Sequence, residues 1–485
     1  MSQFALPPFP VRPFVAGAFV DGEGDRERLI DPWTGAQLAD VATASAAQVG
    51  AAIAAARQAF DASDWPHRPP ADRGAILHRI AALLLERADA FARVEAVSSG
   101  KPLSAAAREV EGAARVFTYY AGAMDKYFGE TIPLGRDLLD FTLREPLGVI
   151  GQIVPWNFPL LGASWKVAPA LAAGCCCVLK PAPQTPLTAL MLAEVCAEAG
   201  VPAGVFSVVP GGAEVGRLLA EDAGIDGVAF TGSTAVGAEV MRMAAGTIKK
   251  VALELGGKNA NVIFADADLA KAATSAAASG FGNAGQSCSA RSRLIVERSA
   301  IPAFLDLFRQ AAAKLRFGAV DDPQTSLGPL ISARHRAHVA GSVEASQAAG
   351  ASLVSGGRAG GGDGFFYEAT ILGDVAATNP AFTDEIFGPV CSVTPFDSEA
   401  EAVTLANTSE YGLNGSVWSR DIGRALRVAR GVRTGMMAVN GLPSASRTSV
   451  FAPFGGYKRS GIGRELGLSA LDFYTEIKNV VIDLG

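Results

Sequence analysis

At 485 residues with a hydrophobic fraction of 49%, the chain exceeds the size at which a single core stops growing, so two or three domains are expected. A net charge of -6, a pI near 5.5 and scattered basic residues argue against a nucleic-acid footprint and against docking to an anionic membrane. Six cysteines, three of them adjacent at Cys175, Cys176 and Cys177, make no disulfide framework, and residues 1–10 lack the basic-then-apolar order of a secretion signal; a reducing cytoplasm is the expected location.

In chain order, residues 46–122 carry Ala, Leu, Arg and Glu at a 3.6-residue period, which predicts an outer helical layer packed on a sheet, with little chemistry of its own. An excursion over 124–144 holds a strand near 140–145. Residues 158–179 are apolar and long enough to be mistaken for a membrane span, but Pro159, Pro169, Lys166 and Lys180 break the run. It reads instead as a buried helix opening at Pro159 and closing at Gly174, then a buried strand over 175–179. Strands near 149–154, 175–179, 205–209, 227–230 and 250–253 alternate with helices ending near 174, 199, 221 and 245. Such alternation predicts an α/β fold with a parallel sheet, whose ligands bind at the carboxyl ends of the strands. The motifs P-W-N, L-K-P and T-G-S-T all fall at such ends. A second α/β unit begins near Gly257 and places Cys288 after a helix over 269–279. The glycine-rich stretch 356–364 reads as a surface loop, since no strand feeds it. His335 and His338 at helical spacing read as a solvated helix face rather than a metal site.

Cys288, in F-G-N-A-G-Q-S-C-S, follows Glu254, in L-E-L-G-G-K-N, by thirty-four positions. A thiolate attacks an electrophilic carbon, and a carboxylate between apolar neighbours such as Leu253 and Leu255 can act as a base near neutral pH. Taken alone, Cys288 would be a buried hydrophobe, Asn157 a helix cap before Pro159, and Lys180 an exposed lysine at a strand end. No G-x-G-x-x-G follows the first strand, so ordinary dinucleotide binding is not indicated. Gly232 and Ser233, opening a helix, can still offer backbone N–H groups and a hydroxyl to a pyrophosphate.

D-P-W-T-G (31–35), P-W-N-F-P (155–159), L-K-P (179–181), F-T-G-S-T (230–234), E-I-F-G-P-V (385–390) and P-F-G-G-Y-K-R-S-G (453–461) occur in the order and spacing of one family. With Cys288 and Glu254, the chain resembles the aldehyde dehydrogenase superfamily over its whole length. The resemblance implies a variant Rossmann parallel sheet (1–123 and 145–256), a second α/β catalytic domain (257–455), and a small β oligomerisation extension (124–144 and 470–485). It implies oxidation of an aldehyde to the acid by NAD, through a Cys288 thiohemiacetal and thioester, with Asn157 and the Cys288 N–H as oxyanion donors. Glu254 would assist hydrolysis, and Glu465 is a lesser candidate for proton relay.

The same resemblance carries cofactor contacts to Ile153, Trp156, Lys180, Gly212, Gly232, Ser233, Glu385 and Phe387. Pro183 stands where many NAD-using relatives have a ribose-binding Glu, which leaves NADP open. Phe158, Gly162 and Trp165 line the implied aldehyde pocket, wide and apolar; Arg447 would instead fork onto the carboxylate of a semialdehyde. A homodimer or homotetramer is expected, because exposed strand edges demand a partner. A CoA-acylating enzyme and a non-enzymatic protein on the same fold are the alternatives; the first typically lacks the carboxylate present here as Glu254.

Overall fold

Residues 149–254 fold into five parallel strands, and their order in space decides where a ligand can sit. The computed structural model describes residues 4–441 and 450–485. Across the first sheet the strands run Phe206–Val208, Cys176–Lys180, Val149–Ile153, Gly227–Thr231 and Lys250–Glu254. The first of them in the chain lies in the middle, so the winding reverses between Val149–Ile153 and Gly227–Thr231. A crevice opens outside the carboxyl ends at such a switch point. In register, Ile153 pairs with Lys180 and Thr231 with Glu254. A late segment returns antiparallel to close this edge, pairing Gly461 with Glu254.

Helices α1 (Ala46–Ala62), α2 (Pro70–Glu86), α3 (Ala88–Ser99) and α4 (Leu103–Ala121) form the N-terminal layer. Only α1 packs extensively on the strands. The other three pack on one another and on α5 (Pro159–Ala173) and α6 (Leu187–Glu198), one layer further out than the periodicity suggested. Helix α5 starts where Pro159 has no N–H to lose and stops at Gly174, whose φ of 91° only glycine adopts readily. Among the described residues no helix is long and apolar enough to cross a membrane. Helices α7 (Ala213–Glu221) and α8 (Thr234–Ala245) complete the first unit.

The second sheet has seven strands in the order Ser352–Ser355, Thr370–Gly373, Val390–Phe396, Arg293–Glu297, Ala260–Ile263, Asn414–Trp418 and Met436–Val439, parallel except for the first. Helices α9 (Leu269–Phe281), α10 (Ile301–Ala312) and α11 (Ala333–Ala348) belong to this unit. The glycine-rich stretch 356–364 is fed directly by the strand Ser352–Ser355, contrary to the sequence reading. It connects two antiparallel strands and is pinned by a bridge between Ala359 and Tyr367. A third sheet stands apart: Thr475–Asp483 pairs antiparallel along the whole of Leu138–Pro146, which also carries Thr131–Ile132.

Candidate active site

The segment bearing Cys288 leaves α9 through a strained turn. Asn283 and Ala284 both take φ of 52°, a left-handed conformation costing about 1 kcal/mol or more for each non-glycine residue. Gly285 follows at φ 71°, where a Cβ would stand 1.9 Å from the Gly388 carbonyl, so the turn interlocks with the Glu385–Gly388 segment. Gln286, almost fully buried, ties the loop down. Its Oε1 accepts from Ile331 N–H (2.8 Å), its Nε2 donates to Pro329 O (3.4 Å), and its carbonyl accepts from Asn157 Nδ2 (3.1 Å). Asn259 Nδ2 donates to the Cys288 carbonyl (2.7 Å).

Cys288 alone among the six cysteines is not fully buried. Burial, reinforced by the nearby carboxylates of Glu385 and Glu254, pushes its thiol up to about 12, so at neutral pH it rests protonated. Its backbone N–H has no partner among the described residues, and one N–H of the Asn157 amide also remains uncommitted. Those are the two donors that the family resemblance implies for an oxyanion.

Glu254 ends its strand with both carboxylate oxygens buried and unpartnered. Burial first, then the charge of Glu465, raises its pKa well above the ordinary carboxylate value. Gly455 gives it room, for a Cβ there would lie 2.6 Å from Glu254 Oε1. Glu465 is held in an ion pair with Lys166, a buried lysine of α5. Lys166 was legible in sequence only as a charge interrupting an apolar helix; such a charge, if buried, has to be paired.

On the cofactor side, Ile153 and Lys180 end adjacent strands, and Trp156 follows at the switch point. Lys180 is not an exposed strand-end lysine. It is buried, its Nζ donates to Pro181 O (2.8 Å) and Gly211 O (3.0 Å), and burial pulls its pKa down to about 8. One N–H of that ammonium is left for a ligand. Gly212 caps α7 beside this lysine, while Gly232 and Ser233 open α8, with Ser233 Oγ accepting from Val236 N–H at 3.4 Å. Glu385 Oε1 accepts from Gly257 N–H (2.8 Å), and burial lifts its pKa to about 7.

Phe387, at φ 55°, stands edge-on to Trp156 with centroids 5.4 Å apart. His335, expected on a solvated face, packs against both rings and bonds through Nε2 to the Phe387 carbonyl (2.8 Å); burial lowers its pKa. Periodicity could not reveal this contact, because it crosses 52 residues of chain.

Along Phe158 and α5 every residue is buried except Phe158, Leu161, Gly162 and Trp165, a single stripe at helical spacing. The stripe is wholly apolar and begins next to Asn157. Gly162 has only Pro155 Cδ within 4 Å of where a Cβ would be (3.8 Å), and Trp165 meets Phe454 edge-on at 5.2 Å. Arg447 lies outside the described residues.

The model of the aldehyde dehydrogenase family matches residues 19–480. The chain is similar to betaine aldehyde dehydrogenase of Bacillus subtilis (strain 168), 43% identical over 96% of each chain, and to the NADP/NAD-dependent aldehyde dehydrogenase PuuC of Escherichia coli (strain K12), 41% identical over 98% of this chain and 96% of that protein. Among solved structures it resembles the indole-3-acetaldehyde dehydrogenase AldA of P. syringae in complex with NAD+ and IAA. That likeness has a TM-score of 0.96 and 40% identity, covering 99% of this chain and 97% of the other.

Proposed function

The chain belongs to the aldehyde dehydrogenase family, and from that membership we propose how its own residues oxidise an aldehyde to the carboxylic acid with NAD(P)+. The observation that carries the reading is the linkage at Gln286: Asn157, at the head of an apolar stripe, is tied to the loop of Cys288 two residues before the nucleophile, within the electrostatic reach of Glu254.

Cys288 Sγ releases its proton to solvent water and, as the thiolate, forms a C–S bond with the aldehyde carbon while the carbonyl π bond opens onto its oxygen. The negative charge arising on the carbonyl oxygen is met by the Cys288 N–H and the free N–H of Asn157. A dinucleotide held by Lys180, Ser233 and Glu385 would supply the hydride acceptor, so that the tetrahedral carbon bound to Cys288 loses hydride as its C=O bond re-forms. Cys288 then carries a thioester. Glu254, whose raised proton affinity suits it to act near neutral pH, takes a proton from water as that water attacks; the C–S bond breaks and the acid departs. Glu465, paired with Lys166 beside Glu254, offers an exit for that proton.

The residues at the switch point fit a dinucleotide. The spare N–H of buried Lys180 suits a ribose hydroxyl. The amino end of α8 at Gly232 and Ser233 suits a pyrophosphate. Glu385 and Phe387 would hold the nicotinamide end, and Ile153, Trp156 and Gly212 would form the walls. Since Pro183 places no carboxylate near the adenosine ribose, the 2'-phosphate of NADP meets no repulsion from that position. Initial rates with the two cofactors test the preference, and a large preference for NADP would overturn NAD as the main one.

The apolar stripe with its gap at Gly162 favours an aldehyde bearing a bulky apolar or aromatic group. The outer face of Thr475–Asp483, with Ile477 and Val481 more than half exposed, supports a homodimer or homotetramer, measurable by light scattering. Six free thiols fit a reducing cytoplasm. Cys288→Ser tests the central claim: NADH formation should fall at least about a thousand-fold, and wild-type turnover would remove the mechanism.

A further inference from the structure

The N-terminal helical layer holds a cluster of charge that the reaction as described does not use. Glu95, on α3, is wholly buried. Lys101, in the turn between α3 and α4, is 1% exposed, and Glu109, on α4, closes over it. Lys101 Nζ lies 2.9 Å from Glu109 Oε2 and 3.8 Å from Glu95 Oε1. Burying three ionisable groups is costly before their mutual attraction is counted, and apolar residues of similar volume commonly serve stability as well or better. Stability therefore does not explain the cluster, whereas what it touches does.

Glu95 Oε1 accepts from Leu160 N–H (3.3 Å), while its Oε2 accepts from Thr188 Oγ1 (2.7 Å). Leu160 is in the first turn of α5, whose N-cap residue, Phe158, has no side chain able to cap it. The missing cap comes instead from a carboxylate sixty-five residues earlier in the chain. Lys101 Nζ sits 4.7 Å from the centroid of the Phe158 ring and has no aligned hydrogen bond among the described residues, so the ring face is one of its few partners.

The same turn grips the far side of the nucleophile loop. Gly100 abuts Pro329, where a Cβ would come within 3.0 Å of the Pro329 carbonyl. That carbonyl is the one accepting from Gln286 Nε2 (3.4 Å), and Gln286 O in turn receives Asn157 Nδ2. Asn157 is thus held from both sides: through Phe158 and the first turn of α5 by Glu95 and Lys101, and through Gln286 by the Gly100–Pro329 contact.

We propose that Lys101, with Glu95, is a positioning residue for the acylation step, setting the Phe158 ring and the aim of the Asn157 carboxamide at the developing oxyanion. This rests on the reading of Asn157 and Cys288 given above. Neither residue touches the reacting atoms. Their effect should therefore appear in carbonyl addition and hydride departure, and not in the affinity for NAD or in thioester hydrolysis.

The test compares Lys101→Met and Lys101→Arg in the full-length protein, using phenylacetaldehyde and its 1-deuterated form with NAD. Lys101→Met should lower kcat/KM for the aldehyde about 10- to 100-fold, the loss that a misplacement near 1 Å can produce. The KM for NAD should stay within about twofold and the deuterium isotope effect should rise, because hydride departure becomes limiting. Lys101→Arg should recover most of the loss, since a guanidinium also stacks on a ring. If Lys101→Met does not accumulate as folded protein, Lys101→Met/Glu109→Gln, which removes both ionisable groups of the closest pair, carries the same measurement. A folded variant with wild-type kcat/KM and isotope effect overturns the proposal, as does a loss confined to the KM for NAD. Wild-type turnover by Cys288→Ser would sink the parent mechanism instead, whatever Lys101 does.

Discussion

At the carboxyl edge of the first sheet, the groups proposed to face the cofactor sit on or beside regular elements: Ile153 and Lys180 at paired strand ends, Ser233 at a helix cap, Gly212 at another. The proposed nucleophile is held differently. Cys288 hangs from the second unit on a loop with two left-handed non-glycine residues, fixed by the side-chain amides of Gln286, Asn259 and Asn157. Binding surface can be had from strand order and helix ends alone, because the dipoles and free N–H groups come with the elements. A reactive thiol and its oxyanion donors need fractions of an ångström, and here long-range hydrogen bonds supply that.

The largest expected effect falls on the loop side. Asn157→Ala should lower kcat by about 100- to 1000-fold while leaving the KM for NAD nearly unchanged, as steady-state kinetics would register. An equal loss in both would place Asn157 with the cofactor edge and erase the distinction. Glu254→Gln should leave the first turnover of NADH in a rapid-mix experiment and slow the steady state about 100-fold, since only hydrolysis lacks its base. In the wild type, steady-state activity should rise with pH through an inflection above the ordinary carboxylate range, because burial and Glu465 favour the protonated, inactive form of Glu254. The Gln variant should lose that inflection.

A smaller effect sharpens the reading of the substrate wall. Gly162→Ala should stabilise α5 by up to about 1 kcal/mol, because glycine is a poor helix former, yet lower kcat/KM for phenylacetaldehyde about tenfold and spare acetaldehyde. Equal kinetics on both aldehydes would mean that the gap does not face substrate.

The smallest effect concerns the buried cluster. Burial lifts Glu109 from 4.5 to about 7, against the pull of Lys101, so the folded protein keeps a proton that the unfolded chain has lost. Stability from this group is therefore lost as pH rises from about 4.5 to 7. Glu109→Gln should flatten that fall, with a thermal midpoint near neutral pH raised by about 2 °C relative to its change at pH 5. An unchanged profile would show Glu109 ionised throughout.

Much of this is legible in the amino-acid sequence alone. Alternating apolar runs and helical periods gave away the strands from 149 to 254, because a two-sided buried sheet must be apolar and its connecting helices amphipathic. Motif order pointed to Cys288, Glu254 and Asn157, which the fold brings into one neighbourhood. What local sequence withheld were the partners of buried charges. Lys166 looked like an interruption, His335 like a surface residue, and Glu95 and Lys101 like ordinary members of an outer layer. Each is matched by a residue 6 to 299 positions away. The glycine-rich stretch 356–364 misled for the opposite reason: its feeding strand Ser352–Ser355 lies at a sheet edge, where the apolar signal is weak.

By itself, then, the amino-acid order determined the α/β architecture, which follows from periodicity and turn residues, and through the order of its motifs the family resemblance and the candidate reacting groups that go with it. Only the tertiary structure decided that the carboxylate of Glu254 is stripped of partners, that Lys180 is dry with one N–H to spare, and that Asn157 is clamped from two sides. Desolvation and hydrogen-bond partnership depend on what the rest of the chain places nearby, and no local window of sequence contains that.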